Sequence, residues 1–557
     1  MVYKLLMVTA LLGAGMGEDI DMWKILMLSF SLSVFVGTAC GGSAEETSSP
    51  TETKTEKVAP DPREGMVENR GLSTGVSEAA SAYFGELSLP RLDQALDLPP
   101  KPKTSVVLLV VDALNAKHLG VYGNEHRASP NVDKLAAEGV VLTGYVSNAS
   151  WTRPSFATIV TGLPKNEHHV ELKNSNIDMN ITTSAERFRA AGYRTAGFVG
   201  NPLVREVWGF GQGFQVYEDT HSLNDVFPPD AVLADKAIDW LSKVDDGVPI
   251  YMMIFFTGPH APYRPPRKHF LKKMGEGNVI EYPFREYLRP LSKADRDRMI
   301  AAYDDEILYT DAQIGRVVDA LRKSGRLEHT VVAVTADHGE SFGTNNCYTH
   351  TYHMWEPVLR VPFVLRPPAS PIRGVVDDRP FTHVDVAPTL LAAAGITAPQ
   401  EGLRGVSMLD IFRDPSVGRE RTLFSQYNAH GIERQAMREG RWKLIHHHKV
   451  EKSALARLNE LETKIPHADP TDLPSLATDG ERFELYDLAA DPEETRNLYE
   501  ARKTSPEAVR LMGALTAKLD PDETEGVLSD EVLEALKNAG YIVGDAPSTP
   551  EGKGDTE

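Results

Sequence analysis

Six consecutive apolar residues, Val106 to Val111, stop at Asp112, and the same pattern returns along the chain. An unbroken apolar run of this length suits a strand buried on both faces, as in a parallel sheet covered by helices. Val331 to Val334 leads into Thr335, Ala336, Asp337, His338 and Gly339. Tyr251 to Phe256 leads to Gly258, Pro259 and His260, and Thr195 to Val199 leads to Gly200 and Asn201. Helical signals lie between the runs. Ser129-Pro130 opens a helix closed by Gly139, and Ile307, Ile314, Val318 and Leu321 recur at helical spacing before Gly325. Strands alternating with helices predict a doubly wound α/β sheet with helices on both faces. In such sheets ligands bind beyond the carboxyl ends of strands, where Asp112, Asn201, His260, Asp337 and His338 all fall. A single Asp after a strand is ordinarily a turn or cap residue. Asp337 and His338, adjacent and followed by glycine and Glu340, instead suit a divalent metal that accepts oxygen and nitrogen ligands together.

A nucleophile candidate lies between the first strand and the others. In Ser150 to Gly162, Pro154 and Gly162 frame a short helix and leave Thr152 just before its N-terminus. Backbone N–H groups there, with the positive end of the helix dipole, favour a tetrahedral anion. A threonine hydroxyl is a weak nucleophile unless a metal lowers its pKa. Helix capping is the alternative role for Thr152. His168, His169 and the run His446-His447-His448 read as structural, the last by alternating exposure along a strand, and Cys347 as a small buried hydrophobe.

The 557 residues include 59 Lys and Arg against 79 Asp and Glu, a formal net charge of −20, which opposes nucleic acid as a partner. With 41% hydrophobic and 25% charged residues the chain is globular rather than disordered. Its two cysteines, Cys40 and Cys347, cannot make a disulfide scaffold. Residues 1–40 read as an export signal. The apolar stretches Leu5–Leu12 and Ile25–Val36 are both shorter than the ~20 residues of a membrane-spanning helix. Met22-Trp23-Lys24 gives the second a positive start and makes Met22 a candidate first residue. Gly37-Thr38-Ala39-Cys40 ends it as a bacterial lipoprotein signal ends, at a cysteine that becomes lipidated. The expected location is therefore the cell envelope, with membrane contact through the Cys40 anchor only; cleavage near Ala39 is the alternative. Residues 41–100, rich in Thr, Glu, Lys and Pro, read as a flexible linker with a short helix in its last part. The expected catalytic domain is 101–395, a C-terminal subdomain 396–544 completes the fold, and 545–557 is a disordered tail.

In order along the chain stand Asp112, Pro130 to Ala136, Thr152 to Gly162, Ala191 to Thr195, His260-Ala261-Pro262-Tyr263, and Asp337-His338-Gly339-Glu340. Arg360-Val361-Pro362, His383 to Leu390, Glu484 to Leu488 and Asp491-Pro492-Glu493 follow. This succession resembles the sulfatase family of the alkaline phosphatase superfamily from about Val106 to Leu498. The resemblance implies a mixed sheet and a smaller C-terminal α+β part with antiparallel strands near Thr422–Tyr427, Ala436–Ile445 and Phe483–Leu488. It implies a divalent metal ion (Ca, Mg, Mn or Zn) on Asp112, Asp337, His338 and Thr152, with Thr152 as nucleophile. His260 and His350 would be catalytic residues at the transferred or leaving group, and Asn201 would bind substrate. The chain also departs from the family: Thr152 stands where sulfatases carry the Cys or Ser converted to formylglycine, so no formylglycine is expected. Phe156 replaces an Arg, Ala113 an Asp and Asn201 a Lys. The implied activity is hydrolysis of a sulfate or phosphate ester on a small molecule, glycan or lipid. A phosphoryl-group transferase and a sulfatase-like binding protein without turnover are the alternatives. His260, His350 and the acids Asp304 and Asp305 are candidate ligands for a second ion.

Overall fold

Each apolar run is a strand whose ends fall within two residues of the sequence reading. The computed structural model describes residues 78–98 and 103–518, except 172–174, 221–228, 276, 278, 280–290, 346, 351–352, 369–373, 397–401, 415, 430–431 and 450–480. The export signal with Cys40, the linker up to residue 77 and the tail 545–557 lie outside the described residues. In chain order the strands are β1 (Ser105–Val111), β2 (Val140–Leu142), β3 (Tyr145–Val146), β4 (Arg194–Val199), β5 (Val216–Asp219), β6 (Ile250–Phe256), β7 (Thr330–Ala336), β8 (Ser341–Thr344), β9 (Cys347–Thr349), β10 (Phe363–Arg366), β11 (Val375–Asp377) and β12 (Phe381–Thr382).

Eight of them form one sheet in the order β11-β2-β10-β7-β1-β6-β4-β5. Only β10 runs against its neighbours, so the sheet is mixed, as the resemblance implies. The four strands that end in the singled-out polar residues, β7, β1, β6 and β4, are adjacent and parallel. Val111 lies opposite both Ala336 and Phe256, and Val199 opposite Phe255, so the four carboxyl ends are nearly flush. Every residue of β1, β6 and β7 is buried, which requires cover on both faces. Two groups of helices supply it. Pro130–Ala137, Asp230–Ser242 and Lys293–Lys323 pack together, as do Thr152–Thr161, Ser184–Ala190 and Val386–Ala393.

The helix Pro130–Ala137 starts at the expected Ser-Pro pair, but Ser129 does not cap it. The carboxylate of Asp311 takes the N–H groups of Asn131 (2.9 Å) and Val132 (2.8 Å) instead, across from the long helix. A carboxylate at a helix N-terminus satisfies the unpaired donors and the dipole at once.

The C-terminal sheet is antiparallel: β13 (Leu423–Ala429), β14 (Ile432–Glu439), β15 (Trp442–His447) and β16 (Arg482–Asp487), in that order. The single strand expected over Ala436–Ile445 is in fact two, folded back at Gly440 and Arg441 so that Glu439 faces Trp442. Gly440 takes φ +58°, the left-handed conformation such a two-residue turn demands. One face of this sheet packs on Trp151, Met354, Trp355 and Leu359 of the large part. The helix Pro506–Thr516 covers the other. β13 is also tied directly to the chain before Thr152: Gln426 N–H donates to Asn148 O (2.8 Å) and Ser425 Oγ to Ser147 O (2.5 Å).

Because Leu108 sits in the middle of β1 and is fully buried, Leu108→Ala is expected to cost about 2–5 kcal/mol of stability. Chemical denaturation followed by circular dichroism measures it, and a cost under ~1 kcal/mol would contradict a strand enclosed on both faces.

Candidate active site

The flush strand ends bring Asp112, Asp337 and His338 together. One ligand atom from each lies within 4.8 Å of the others, and all three side chains are fully buried. His338 Nδ1 is 2.9 Å from Gly339 O, and a carbonyl only accepts, so Nδ1 carries the ring proton. The bare Nε2 then faces Asp337 Oδ2 at 3.4 Å and Asp112 Oδ1 at 3.6 Å. Neither of those oxygens has a hydrogen-bond partner among the described residues. Three lone-pair atoms thus converge with no donor between the carboxylates. Such a set is satisfied by a cation, and oxygen with imidazole nitrogen suits a divalent one. The residues therefore fit the metal that the resemblance implies.

The other carboxylate oxygens are fixed by the protein. Asp337 Oδ1 accepts from the N–H of His338 (2.9 Å) and of Ala113 (3.2 Å). Ala113, at φ +55°, turns the chain sharply after Asp112, and its carbonyl accepts from Tyr303 Oη at 2.7 Å. Asn201 sits against Asp112, with Nδ2 donating to Oδ2 at 2.6 Å and Oδ1 accepting from Leu203 N–H at 2.8 Å. Burial pushes Asp337 up to about 7 against these donors. Burial, and then the charge of Asp337, hold Asp112 well above the carboxylate range. Burial holds His338 well below its ordinary value, in the neutral form a metal requires.

Thr152 is the first residue of the helix Thr152–Thr161; the capping position is one earlier, at Trp151. The expected placement just before the helix is off by that residue, and the hydroxyl is turned to the carboxylate cluster rather than to the helix backbone. Its Oγ1 lies 3.3 Å from His338 Nε2. Gly162 ends the helix at φ +69°, as expected. Phe156, one turn on, does not face the cluster: it is fully buried and stacks on Phe255 of β6, ring centroids 4.6 Å apart. Arg153 also turns away, donating to Leu203 O (2.7 Å) with its guanidinium over the Trp208 ring.

Two further histidines line up beside His338. The His350 ring is 4.2 Å from that of His338 and 5.0 Å from that of His260. His350 Nδ1 pairs with Glu340 Oε1 at 3.1 Å, while Glu340 Oε2 accepts from Tyr263 Oη at 2.9 Å. His260 Nδ1 is 2.6 Å from Ala261 O, which again puts the ring proton on Nδ1. Burial, and then His350, push His260 down to about 3, so its imidazole is neutral.

Glu340 and Tyr263 stand in the motifs Asp337-His338-Gly339-Glu340 and His260-Ala261-Pro262-Tyr263, yet sequence reading gave neither a role. Ser155 was missed as well: its hydroxyl donates to Asp337 O and contacts His383 Nδ1 (2.9 Å). Its position one turn after Thr152, on the helix face turned to the site, was the available signal. The acids considered for a second ion are committed elsewhere. Asp304 is clasped by His118 (2.6 Å) and His126 (2.5 Å), and Asp305 accepts from the backbone of 269–271. Asp385 caps Thr382 and pairs with Arg421. His168 bonds Thr158 inside the core, and burial pushes the Cys347 thiol up to about 12.

Asp337→Ala is expected to lower the divalent metal content by one equivalent, read by metal analysis of dialysed protein; an unchanged metal content would undo the ligand assignment. In the native protein Asp337 must shed a proton to bind the ion. Apparent affinity should therefore weaken as pH falls through about 7, measured by calorimetric titration across pH 5–8.

Residues 104–396 match the Sulfatase family, and residues 345–476 the C-terminal family of N-sulphoglucosamine sulphohydrolase. The chain is 23% identical over 536 residues to an N-acetylglucosamine-6-O-sulfatase of Bacteroides thetaiotaomicron, covering 77% of this chain and 90% of that protein. Among solved structures, one in complex with its substrate D-glucosamine-2-N,6-O-disulfate aligns with TM-score 0.58 at 20% identity, over 78% of this chain and 100% of that one. A phosphonate monoester hydrolase of Agrobacterium radiobacter aligns with TM-score 0.59 at 20% identity, over 75% and 95%. With more than half its length matched and the metal-ligand motif of the resemblance assembled at the strand ends, the chain belongs to the sulfatase family of ester hydrolases.

Proposed function

We propose that the protein hydrolyses sulfate esters of an anionic glycan, with Thr152 Oγ1 as nucleophile. The observation that carries this is the hydroxyl 3.3 Å from His338 Nε2, inside a buried cluster of two carboxylates. The name of the Bacteroides relative supports an amino-sugar sulfate as substrate class. A divalent cation on Asp112, Asp337 and His338 would lower the pKa of the threonine hydroxyl and offset charge on the transferred group. The remaining work falls to the chain. Thr152 Oγ1 releases its proton to solvent and forms a bond to sulfur as the bond to the leaving oxygen breaks. His350, supported by Glu340, supplies the proton that the leaving oxygen takes up. The helix N-terminus at Thr152 faces the anion with its positive end. Water then attacks the sulfur of the Thr152 ester as the S–Oγ1 bond breaks, one of its protons passing by way of the unprotonated Nε2 of His260 to Oγ1, which departs as an alcohol. Asn201 keeps Asp112 in place through its amide.

A second reading is favoured by Thr152 itself. Formylglycine releases sulfate by elimination from its second hydroxyl, a route closed to threonine, so the covalent ester must be cleaved by direct attack on the central atom. That is the manner of phosphoester hydrolysis through a hydroxyl nucleophile. A panel of p-nitrophenyl sulfate, p-nitrophenyl phosphate and bis-p-nitrophenyl phosphate separates the readings. Thr152→Ala is expected to lower kcat at least a thousandfold on whichever ester is turned over, and Thr152→Ser to keep part of the activity. Unchanged activity in Thr152→Ala would exclude the nucleophile, and turnover of phosphoesters alone would establish the second reading. Metal binding without turnover of any ester would support a binding protein.

We also propose that Cys40 carries a lipid anchor at the cell envelope, on the strength of Gly37-Thr38-Ala39-Cys40 after an apolar stretch. Mass spectrometry of the mature N-terminal peptide should show an acylated Cys40; an unmodified peptide beginning nearby would mean ordinary secretion.

A further inference from the structure

The histidine run at the end of β15 does not alternate between buried and exposed as its sequence suggests. His446 and His447 are both buried, on opposite faces of the sheet, and His448 is half-buried. His447 turns toward Glu484 (3.2 Å), whose carboxylate also accepts from the Trp355 indole of the large part. His446 lies on the other face, stacked on Phe483 with centroids 4.3 Å apart and planes at 9°. That is the face covered by Pro506–Thr516, away from the catalytic centre. There the His446 and His448 rings approach to 3.9 Å, and His446 Nε2 is 2.7 Å from Glu481 Oε2. One ligand atom each from His446, His448 and Glu481 lies within 4.8 Å of the others. Among the described residues, His446 Nδ1 and His448 Nε2 are buried without a hydrogen-bond partner.

A buried imidazole nitrogen without a partner is costly, and two of them side by side are doubly so. No donor among the described residues relieves it. Neutral imidazoles with a carboxylate are instead the donor set of zinc and its neighbours, whereas calcium and magnesium take oxygen. We propose that His446, His448 and Glu481 form a second metal site, for a zinc-type divalent ion, separate from the catalytic centre. Its ligands stand at the end of β15 and just before β16, strands that pair with each other through His446 and Phe483. The ion would tie His448 and Glu481 to His446 on the outer face of the sheet.

The test uses untagged full-length protein carrying Asp112→Ala and Asp337→Ala, which removes the catalytic ligands. After chelator treatment and dialysis it is titrated with zinc chloride by calorimetry. One equivalent is expected to bind. Adding Glu481→Gln, at an exposed position that leaves the fold intact, should weaken binding at least tenfold. Adding His448→Gln as well should abolish it, with circular dichroism confirming the fold. Absence of zinc binding in the first variant, or unchanged binding after both additions, would overturn the site.

Discussion

Two buried carboxylates and a bare imidazole nitrogen, held within a few ångströms of one another, are the constraint on which the rest of the site depends. At an effective dielectric constant near 20, two like charges 4 Å apart repel by about 4 kcal/mol. The protein does nothing to relieve that repulsion from within. Its hydrogen bonds go to the outer oxygens, Asp337 Oδ1 and Asp112 Oδ2, while Asp337 Oδ2 and Asp112 Oδ1 are turned inward with no hydrogen-bond partner among the described residues. The outward bonds fix the geometry and leave the inward lone pairs free for a cation. The sheet makes such an arrangement affordable, because two adjacent and fully buried strands, β1 and β7, set the spacing and cannot relax to let the carboxylates separate.

Much of this was legible because the site is built at strand ends. An apolar run stopped by a polar residue shows both the strand and the point where its last side chain emerges, so Asp112, Asp337 and His338 could be named from local sequence. What bridges loops was not legible. His350 reaches Glu340 only because the hairpin β8–β9 folds back between them, and nothing local to either residue announces it. The split of Ala436–Ile445 into two strands turned on a single glycine inside a pattern that otherwise reads as continuous. Asp311 replaced Ser129 as the cap of a helix nearly 180 residues earlier, a choice made by helix packing rather than by the capping motif.

The departures from the family take on a physical sense in the structure. With Phe156 in place of arginine, the helix that presents Thr152 is pinned to β6 by aromatic stacking, and Arg153 is drawn outward to Leu203 O and the Trp208 ring. Asn201 in place of lysine has become a support for Asp112. Positive potential near the threonine therefore comes from the helix dipole and from the ion the cluster would hold. The pocket has exchanged fixed cations for groups whose charge depends on what is bound.

The reversed direction of β10 has a consequence for how this enzyme can diverge. Beyond β7 the sheet's carboxyl edge receives chain instead of launching it, and backbone hydrogen bonds lace that flank shut: Gly339 N–H to Val358 O and Ser147 N–H to Leu359 O, both 2.7 Å. A wall made of main chain cannot be rewritten by exchanging side chains. The opposite flank is bordered by side chains instead, His260 after β6 and Asn201 after β4, so exchanging residues there alters the site directly.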